Sequence, residues 1–481
     1  MYKFTKEDLK IVMQNFGEVT YYFSMILFIP IIIALIYNEG TENIMSFLIS
    51  GLIGMLIGFV IFKISKTKKH TQESHALVTL VLIWFLVPII GALPYILNSS
   101  LNISIIDAYF ESISSITTTG LTLIHYELPK SFIFWRAFEG WIGGAGIIIT
   151  ALVGILHYTG GAKMFETEGS EIRLRPSIIN SVKNIWWIYA LFTSLGIIML
   201  MGAHLTLFES ATLSMSAIST TGTGNYYGDL IDMNSPAVES ALAVIMILGA
   251  FSFMVHYKYL KGDIKAYAKD TQVRVFFFIL ILAVILILPK FLAIYGEKAL
   301  RFSSFTVISA LTAGGFNVTT TAMWDSASKI IFWFLMIIGG SAGSTAGGIK
   351  LIRAWVFVKS LWWKAREKAL PSNAYFPKKI NKKEVTQSEI NTVYLFILLY
   401  FIFLILGTTV ILYTNSTYDL GDVLFEVASA QGNVGLTTGI AEPTMHWVAK
   451  LMMSINMVVG RIEVIPLIIG LGFLSNLKRG G

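Results

Sequence analysis

SSITTTGLT at residues 114–122 returns three more times along the chain, altered but in register, as SAISTTGTG at 216–224, SALTAGGFN at 309–317 and SAQGNVGLT at 429–437. In each copy a serine (Ser114, Ser216, Ser309, Ser429) stands six residues before a glycine (Gly120, Gly222, Gly315, Gly435). A short, mostly apolar stretch precedes each copy, such as DAYFESI before the first and DVLFEVA before the fourth. These stretches are too short to cross a bilayer and long enough for a half-helix. One such glycine after a helix reads most simply as a C-cap or a turn. Four in register, about 100 residues apart, read as an internal fourfold repeat of outer helix, re-entrant loop and inner helix.

The surrounding sequence sets these loops in a membrane. The 481 residues are 55% apolar and only 14% charged, against about 25% charged in soluble domains. A helix needs about 20 apolar residues to span the hydrocarbon. Ten runs predict spans, over 20–37, 44–63, 75–97, 132–157, 184–207, 237–258, 274–295, 328–360, 391–413 and 446–474, the eighth of them broken. Lys63, Lys66, Lys68 and Lys69 follow the second run, Lys163, Arg173, Arg175 and Lys183 the fourth, and Lys258, Lys261, Lys265, Lys269 and Arg274 the sixth. Segment 350–383 carries ten more basic residues, and Lys478 and Arg479 lie beyond the last run. The positive-inside rule puts these loops and both termini in the cytoplasm of a multi-pass cell (inner or plasma) membrane protein. The charged N-terminal segment does not read as a cleavable signal. The net charge of +7 is accounted for by this topology, and no nucleic-acid partner is expected.

The chain therefore divides into a two-helix extension (1–70) and four repeats, 71–160, 161–262, 263–365 and 366–481. The expected fold is all-α, with four tandem helix–loop–helix units around a pseudo-fourfold pore. There is no cysteine, and the seven histidines are dispersed with no metal-binding spacing. No His, Asp and Glu constellation suggests an enzyme, and no Asp or Glu relay is evident within the spans.

Non-helical backbone at membrane depth is tolerated where it lines a watery path. Rings of backbone carbonyls can replace the water shell of a cation there, and glycine permits the necessary backbone angles. The candidate ion-binding residues are Thr118, Thr119 and Gly120; Thr220, Thr221 and Gly222; Ala313, Gly314 and Gly315; and Asn433, Val434 and Gly435. Thr117–Thr119 and Ser219–Thr221 fit a hydroxylated wall behind the backbone. With one clear glycine per loop and four unlike loops, fewer binding rings and weaker discrimination are expected than in a symmetric tetrameric filter.

The eighth run contains GGSAGSTAGGIK at 339–350, with five glycines, and then resumes. Five glycines cannot hold a firm helix, so a flexible intramembrane gate is expected below the loops. The candidate gate residues are Gly339, Gly340, Ser341, Ala342, Gly343, Ser344, Thr345, Ala346, Gly347, Gly348 and Lys350. Tight small-residue packing is the alternative; a phosphate loop is excluded because Ile349 follows Gly348. Arg461 lies about 23 Å into the last run by helical rise. It needs acceptors from the broken helix or Glu463, unless it snorkels to the cytoplasmic edge. Arg136 and Glu139, at i and i+3, read as a structural ion pair.

TTTGLT at 117–122, TTG at 220–222, AGGFN at 313–317, GNVGLT at 432–437, WIGGAGIII at 141–149, GGSAGSTAGGIK at 339–350 and GRIE at 460–463 resemble the Trk/Ktr/HKT superfamily of potassium transporters. Two extra spans before the first repeat match the TrkH-type membrane subunit, and the resemblance covers nearly the whole chain. It implies K+ as transported ion, no organic cofactor, and a homodimer with one pore per protomer. It also implies a cytoplasmic ring of TrkA-like nucleotide-binding regulatory subunits, which would supply the nucleotide motif this sequence lacks. The family's filter glycines fall on Gly120, Gly222, Gly315 and Gly435, its gate on 339–350 and its gate-contacting arginine on Arg461. Gly120, where sodium-passing members carry serine, argues for potassium. Thr223 departs from the Leu or Phe of the other loops. A secondary transporter coupled to protons or sodium, or a less selective potassium and sodium pore, is the competing reading; rocking transporters, however, are built on two inverted repeats.

Overall fold

The structure is a computed structural model that describes residues 5–69, 71, 73–150, 177–224, 229–371, 376–380 and 383–462. It is an all-α membrane fold, with one two-residue antiparallel ribbon, Lys379–Ile380 with Lys383–Glu384, in the basic segment. An N-terminal pair, Lys6–Ile26 continued by Ile29–Ile36, then Thr41–Ile64, precedes four outer helix, half-helix and inner helix units. The outer helices are Glu73–Leu97, Ser177–Gly202, Thr271–Tyr295 and Gln387–Thr414. The half-helices are Ile105–Ile116, Leu207–Ile218, Ala299–Leu311 and Leu420–Gly432. The inner helices begin at Lys130, Pro236, Ser326 and Trp447.

Among the described residues six helical segments are long and apolar enough to cross a membrane, and seven if a bent pair counts as one. The first starts at Lys6, well before the apolar run, because Thr5 and Asp8 form a capping box and Ile11, Val12 and Phe16 bury a helical face. Asp8 also meets His75 of the first outer helix at 2.9 Å. The two N-terminal helices touch backbone to backbone: a Cβ on Gly58 would lie 2.5 Å from the amide nitrogen of Tyr21, the close approach that small residues allow. Phe47 packs on Phe132 with centroids 4.8 Å apart, which seats this pair against the first repeat.

Two inner helices are interrupted, that of repeat 3 where a break was expected and that of repeat 2 where a straight span was expected. That of repeat 2 is not one span over 237–258; it stops at Ala250 and restarts as Phe253–Leu260 after a 99° bend. That of repeat 3 breaks after Ile337 and resumes as Leu351–Lys368. The expected loop cations Lys163, Arg173 and Arg175, the chain beyond 462 with Glu463, Lys478 and Arg479, and the 160/161 repeat boundary lie outside the described residues.

Candidate functional site

Every half-helix ends in the same way. In the first, the Thr118 amide donates to Ser115 O and the Thr119 amide to Ser114 O, with Thr118 at φ +58°. This is a Schellman motif. It recurs with Thr220 (φ +56°), Ala313 (+57°) and Asn433 (+54°) as the left-handed residue, the following amide reaching Ser216 O, Ser309 O and Ser429 O. Two residues later comes a second positive φ, at Gly120 (+80°), Gly222 (+74°), Gly315 (+71°) and Gly435 (+97°). Thus in each loop the first and third of the three residues singled out from sequence have positive φ and the middle one does not.

The register serines brace the far side of each turn. The Ser114 and Ser309 hydroxyls donate at 2.6 Å to the carbonyls of Leu121 and Phe316, and the Ser429 hydroxyl accepts from the Gly435 amide at 3.0 Å. In the second loop Ser216 instead meets the Thr223 hydroxyl at 2.6 Å. The departure at Thr223 supplies its own bond to the serine. Behind the first two loops the hydroxyls pair with each other, Thr117 with Thr119 at 2.8 Å and Ser219 with Thr221 at 2.6 Å.

The four loops close on one another. A Cβ on Gly120 would stand 1.8 Å from Thr221 O, on Gly222 2.5 Å from Gly314 O, on Gly315 2.0 Å from Val434 O, and on Gly435 2.4 Å from Thr119 O. Each glycine thus abuts the carbonyl of the residue before the next loop's glycine, and the sequence one, two, three, four returns to one. Above this ring lies a cavity of about 370 Å³ with all four glycines in its wall.

The inner helices make room with glycines. Gly143, Gly249 and Gly460 lie so close to Ile116 O, Ile218 O and Gln431 O that a Cβ would fall within 2.4 Å of each. This gives the WIGGAG stretch a packing role against the end of the first half-helix.

Beneath the ring, the glycine-rich loop is closed and buried rather than slack. Gly339 N donates to Ile349 O and Ile349 N to Ile337 O, both at 2.9 Å, pinching its ends together. Carbonyls freed by the break after Ala250 cap it: Ser341 N reaches Ala250 O at 2.8 Å and Thr345 N reaches Gly249 O at 3.1 Å. Buried Gln272 accepts from Ala342 N at 2.8 Å. The Thr345 hydroxyl lies 2.9 Å from Gly249 O and 3.0 Å from Ile218 O, and Thr220 of the second loop donates to it at 3.3 Å. A Cβ on Gly347 would fall 2.3 Å from Asn433 Oδ1 of the fourth. Lys350 Nζ donates back to Ala346 O.

Arg461 does not snorkel. It is 2% exposed and its guanidinium donates to Thr345 O in the glycine-rich loop and, at 3.1 Å, to Gly143 O in the first inner helix. One side chain therefore joins repeats 1, 3 and 4.

The expected Arg136–Glu139 pair is corrected. Arg136 Nε faces Glu111 Oε2 at 3.6 Å, while Glu139 accepts from Ser112 at 2.5 Å. The half-helix outcompetes the i+3 neighbour because both side chains point across the helix interface.

Several residues the sequence reading passed over complete the site. Glu111 and Glu426, each nine residues before a loop glycine, reach back to their own loops. Glu111 accepts from Leu123 N at 2.6 Å and Thr122 Oγ1 at 2.9 Å; Glu426 accepts from Thr437 Oγ1, Thr438 N, Thr438 Oγ1 and Ala441 N at 2.7–3.1 Å. The signal was present in FES and FEV at matching positions. Charges also tie each inner helix to the next half-helix around the rim. Lys450 meets Asp107 at 2.5 Å, Lys329 meets Asp422 at 2.5 Å, Arg301 meets Glu239 at 2.9 Å, and Lys130 stands 5.5 Å from the Phe208 ring.

The geometry defines a class: an all-α membrane protein in which four re-entrant loops of a single chain, each at the end of a half-helix, enclose one axis. The chain belongs to the TrkH family of cation transport proteins, whose family model matches residues 43–473. This is a family of transporters, and the protein is not an enzyme. The chain is 32% identical over 472 residues to an uncharacterized cation transporter of Methanocaldococcus jannaschii, covering 97% of this chain and 96% of that one. It is 28% identical over 470 residues to the Trk system potassium uptake protein TrkH of Salmonella typhimurium, covering 94% and 96%. The crystal structure of the potassium transporter TrkH from Vibrio parahaemolyticus matches with a TM-score of 0.85 at 27% identity, over 96% of this chain and 98% of that one.

Proposed function

We propose that the protein takes up potassium through a gated, channel-like pore, with the four loops as its selectivity filter and residues 339–350 with Arg461 as its gate. The observation that carries this reading is the closed cycle of glycine-to-carbonyl contacts, Gly120 to Thr221, Gly222 to Gly314, Gly315 to Val434 and Gly435 to Thr119. A φ that alternates in sign along each loop lets successive carbonyls turn to one side, which is what a dehydrated cation requires. The half-helices point their C-terminal, negative ends at this ring and favour a cation there. The glycine-rich loop touches Thr220 and Asn433, the first of the three residues in loops two and four, the position from which a loop can block the path.

Potassium is the reading because the relatives of known role are potassium uptake proteins and because Gly120 leaves no side chain in the ring. The membrane potential suffices to drive uptake: one charge crossing 100 mV gains about 2.3 kcal/mol, roughly a fiftyfold accumulation. Coupling to protons would need a buried relay. The buried carboxylates Glu111 and Glu426 are instead engaged by their own loops, and buried Glu139 accepts from Ser112 of the first half-helix. The names of the Trk system relatives support partnership with regulatory subunits; the family resemblance implies that these form a cytoplasmic nucleotide-binding ring acting on a homodimer, and the basic loops put both termini on the cytoplasmic side.

Rubidium uptake by the purified chain in potassium-loaded proteoliposomes, with and without a regulatory subunit, tests the reading. Uptake that follows an imposed potential and outpaces sodium is expected. Absence of flux under every condition refutes the pore, and equal rubidium and sodium rates refute the filter.

A further inference from the structure

At the basic end of the molecule, the third outer helix (Thr271–Tyr295) and the helix leaving the glycine-rich loop (Leu351–Lys368) enclose a cavity of about 310 Å³. Its lining includes two cations, Arg274 and Lys359, the indole of Trp355, the hydroxyl of Thr271, and apolar Phe278 and Ile380. The size is that of a small-molecule site. Arg274 is held by the carbonyls of Lys269 and Asp270 and by the Thr271 hydroxyl at 3.4–3.5 Å. Lys359 stands 5.4 Å from the Trp355 ring, and no carboxylate among the described residues pairs with it. The neighbouring carboxylate, Asp270, is turned to its helix, where Oδ1 accepts from Gln272 N and Val273 N.

On its other side the cavity meets the lipid-facing surface. Phe278, Ile281 and Ile285 are 65%, 59% and 61% exposed and form a stripe at helical spacing. A site with cations at one end and a membrane-exposed apolar track at the other fits an amphiphile with a negative head. Basic pockets between helices on the cytoplasmic side of a membrane bind anionic headgroups. We propose that this cavity binds the phosphate headgroup of an anionic membrane phospholipid, with Arg274 and Lys359 on the phosphate and an acyl chain along the Phe278 stripe. A free phosphate would use the cations and leave the apolar track without a role.

The location links such a lipid to the gate. One wall adjoins Gln272, which holds Ala342 N, and the other begins one residue after Lys350. A headgroup bridging the walls holds the helix that leaves the glycine-rich loop against the outer helix whose Gln272 accepts from Ala342 N within that loop. Anionic lipid is therefore expected to favour the closed loop.

The test is binding of fluorescent phosphatidylglycerol to the full chain in neutral detergent, read without transport, so that its failure is separate from failure of the pore reading. Saturable binding is expected, with none for phosphatidylcholine. Each cation near an anionic headgroup contributes about fivefold, so R274Q with K359Q should weaken binding by about thirtyfold. Arg274→Lys with Lys359→Arg should retain affinity, which separates charge loss from misfolding. Lys261→Gln, at the same basic end but outside the cavity, should leave it unchanged. An equal loss in Lys261→Gln, loss in the charge-retaining pair, or displacement of the lipid by inorganic phosphate alone would each overturn the proposal. Displacement by an acidic peptide but not by unlabelled phosphatidylglycerol would overturn it in favour of a protein partner.

Discussion

A Cβ on Gly120 would stand 1.8 Å from the carbonyl oxygen of Thr221 in the neighbouring loop, and Gly120 itself has φ +80°. Any side chain there meets two obstacles. The left-handed backbone costs about 1–2 kcal/mol, and the Thr221 carbonyl must move. Gly120→Ser is expected to fold but to lose the regular ring, so that the ratio of potassium to sodium uptake falls. Rubidium and sodium tracer uptake into the same proteoliposomes measures it. An unchanged ratio removes Gly120 from the filter.

Arg461 supplies the second prediction. Its bonds to Thr345 O and Gly143 O hold the glycine-rich loop against the first and fourth inner helices. A hydrogen bond from a charged donor contributes about 1.5–3 kcal/mol. Losing the Thr345 contact alone should raise the open-to-closed ratio by about tenfold to a hundredfold. Arg461→Gln is therefore expected to raise basal flux and to blunt the response to a regulatory subunit. Flux at or below that of the parent protein would show that the arginine supports an open rather than a closed loop.

The repeat was legible from the sequence because its parts are strictly spaced: a serine and a glycine six residues apart, four times. Physics explains the spacing, since the serine closes the turn that the glycine makes possible. The left-handed residue two positions before the glycine was not legible as such. Asn433 is a residue type that tolerates this conformation, but Thr118 and Thr220 are not, and only the helix end they cap reveals it. Local spacing also misled. Arg136 and Glu139 share a helix face, yet the stronger partner for Arg136 lies on another element, at Glu111. The bend after Ala250 has no proline or glycine run to announce it. It exists because the amides of Ser341 and Thr345, remote in sequence, take the carbonyls of Ala250 and Gly249 in place of helix continuation.

Glu426 is the third test, because it receives four donors from the chain following Gly435. Glu426→Gln keeps the shape but turns one acceptor into a donor that faces other donors. A buried polar group left unsatisfied in this way costs about 1–3 kcal/mol. The variant should unfold at a lower temperature by scanning fluorimetry and show reduced potassium preference. Glu426→Asp, too short to span both sides, should behave similarly. If the Gln variant keeps both its melting temperature and its preference, the carboxylate is not a brace for the loop.

The rim contacts make the last prediction, about how four unlike loops are kept in one ring. Lys450 and Asp107 join the last inner helix to the first half-helix, and so close the circle between residues 343 positions apart. The side chains are only 7% and 16% exposed, so solvent screens them little. Exposed pairs contribute about 0–1 kcal/mol, and Lys10–Glu7, at 51% and 42% exposed, supplies that reference within the same protein. A double-mutant cycle with Lys450→Met and Asp107→Asn should give a coupling of about 1–3 kcal/mol, clearly above that of Lys10→Met with Glu7→Gln. Lys450→Met alone should be the most damaging member, since it leaves Asp107 and the Pro443 carbonyl without their donor. A cycle no larger than the reference would mean that the glycine-to-carbonyl contacts of the loops, rather than the charged rim, hold the first and fourth repeats together.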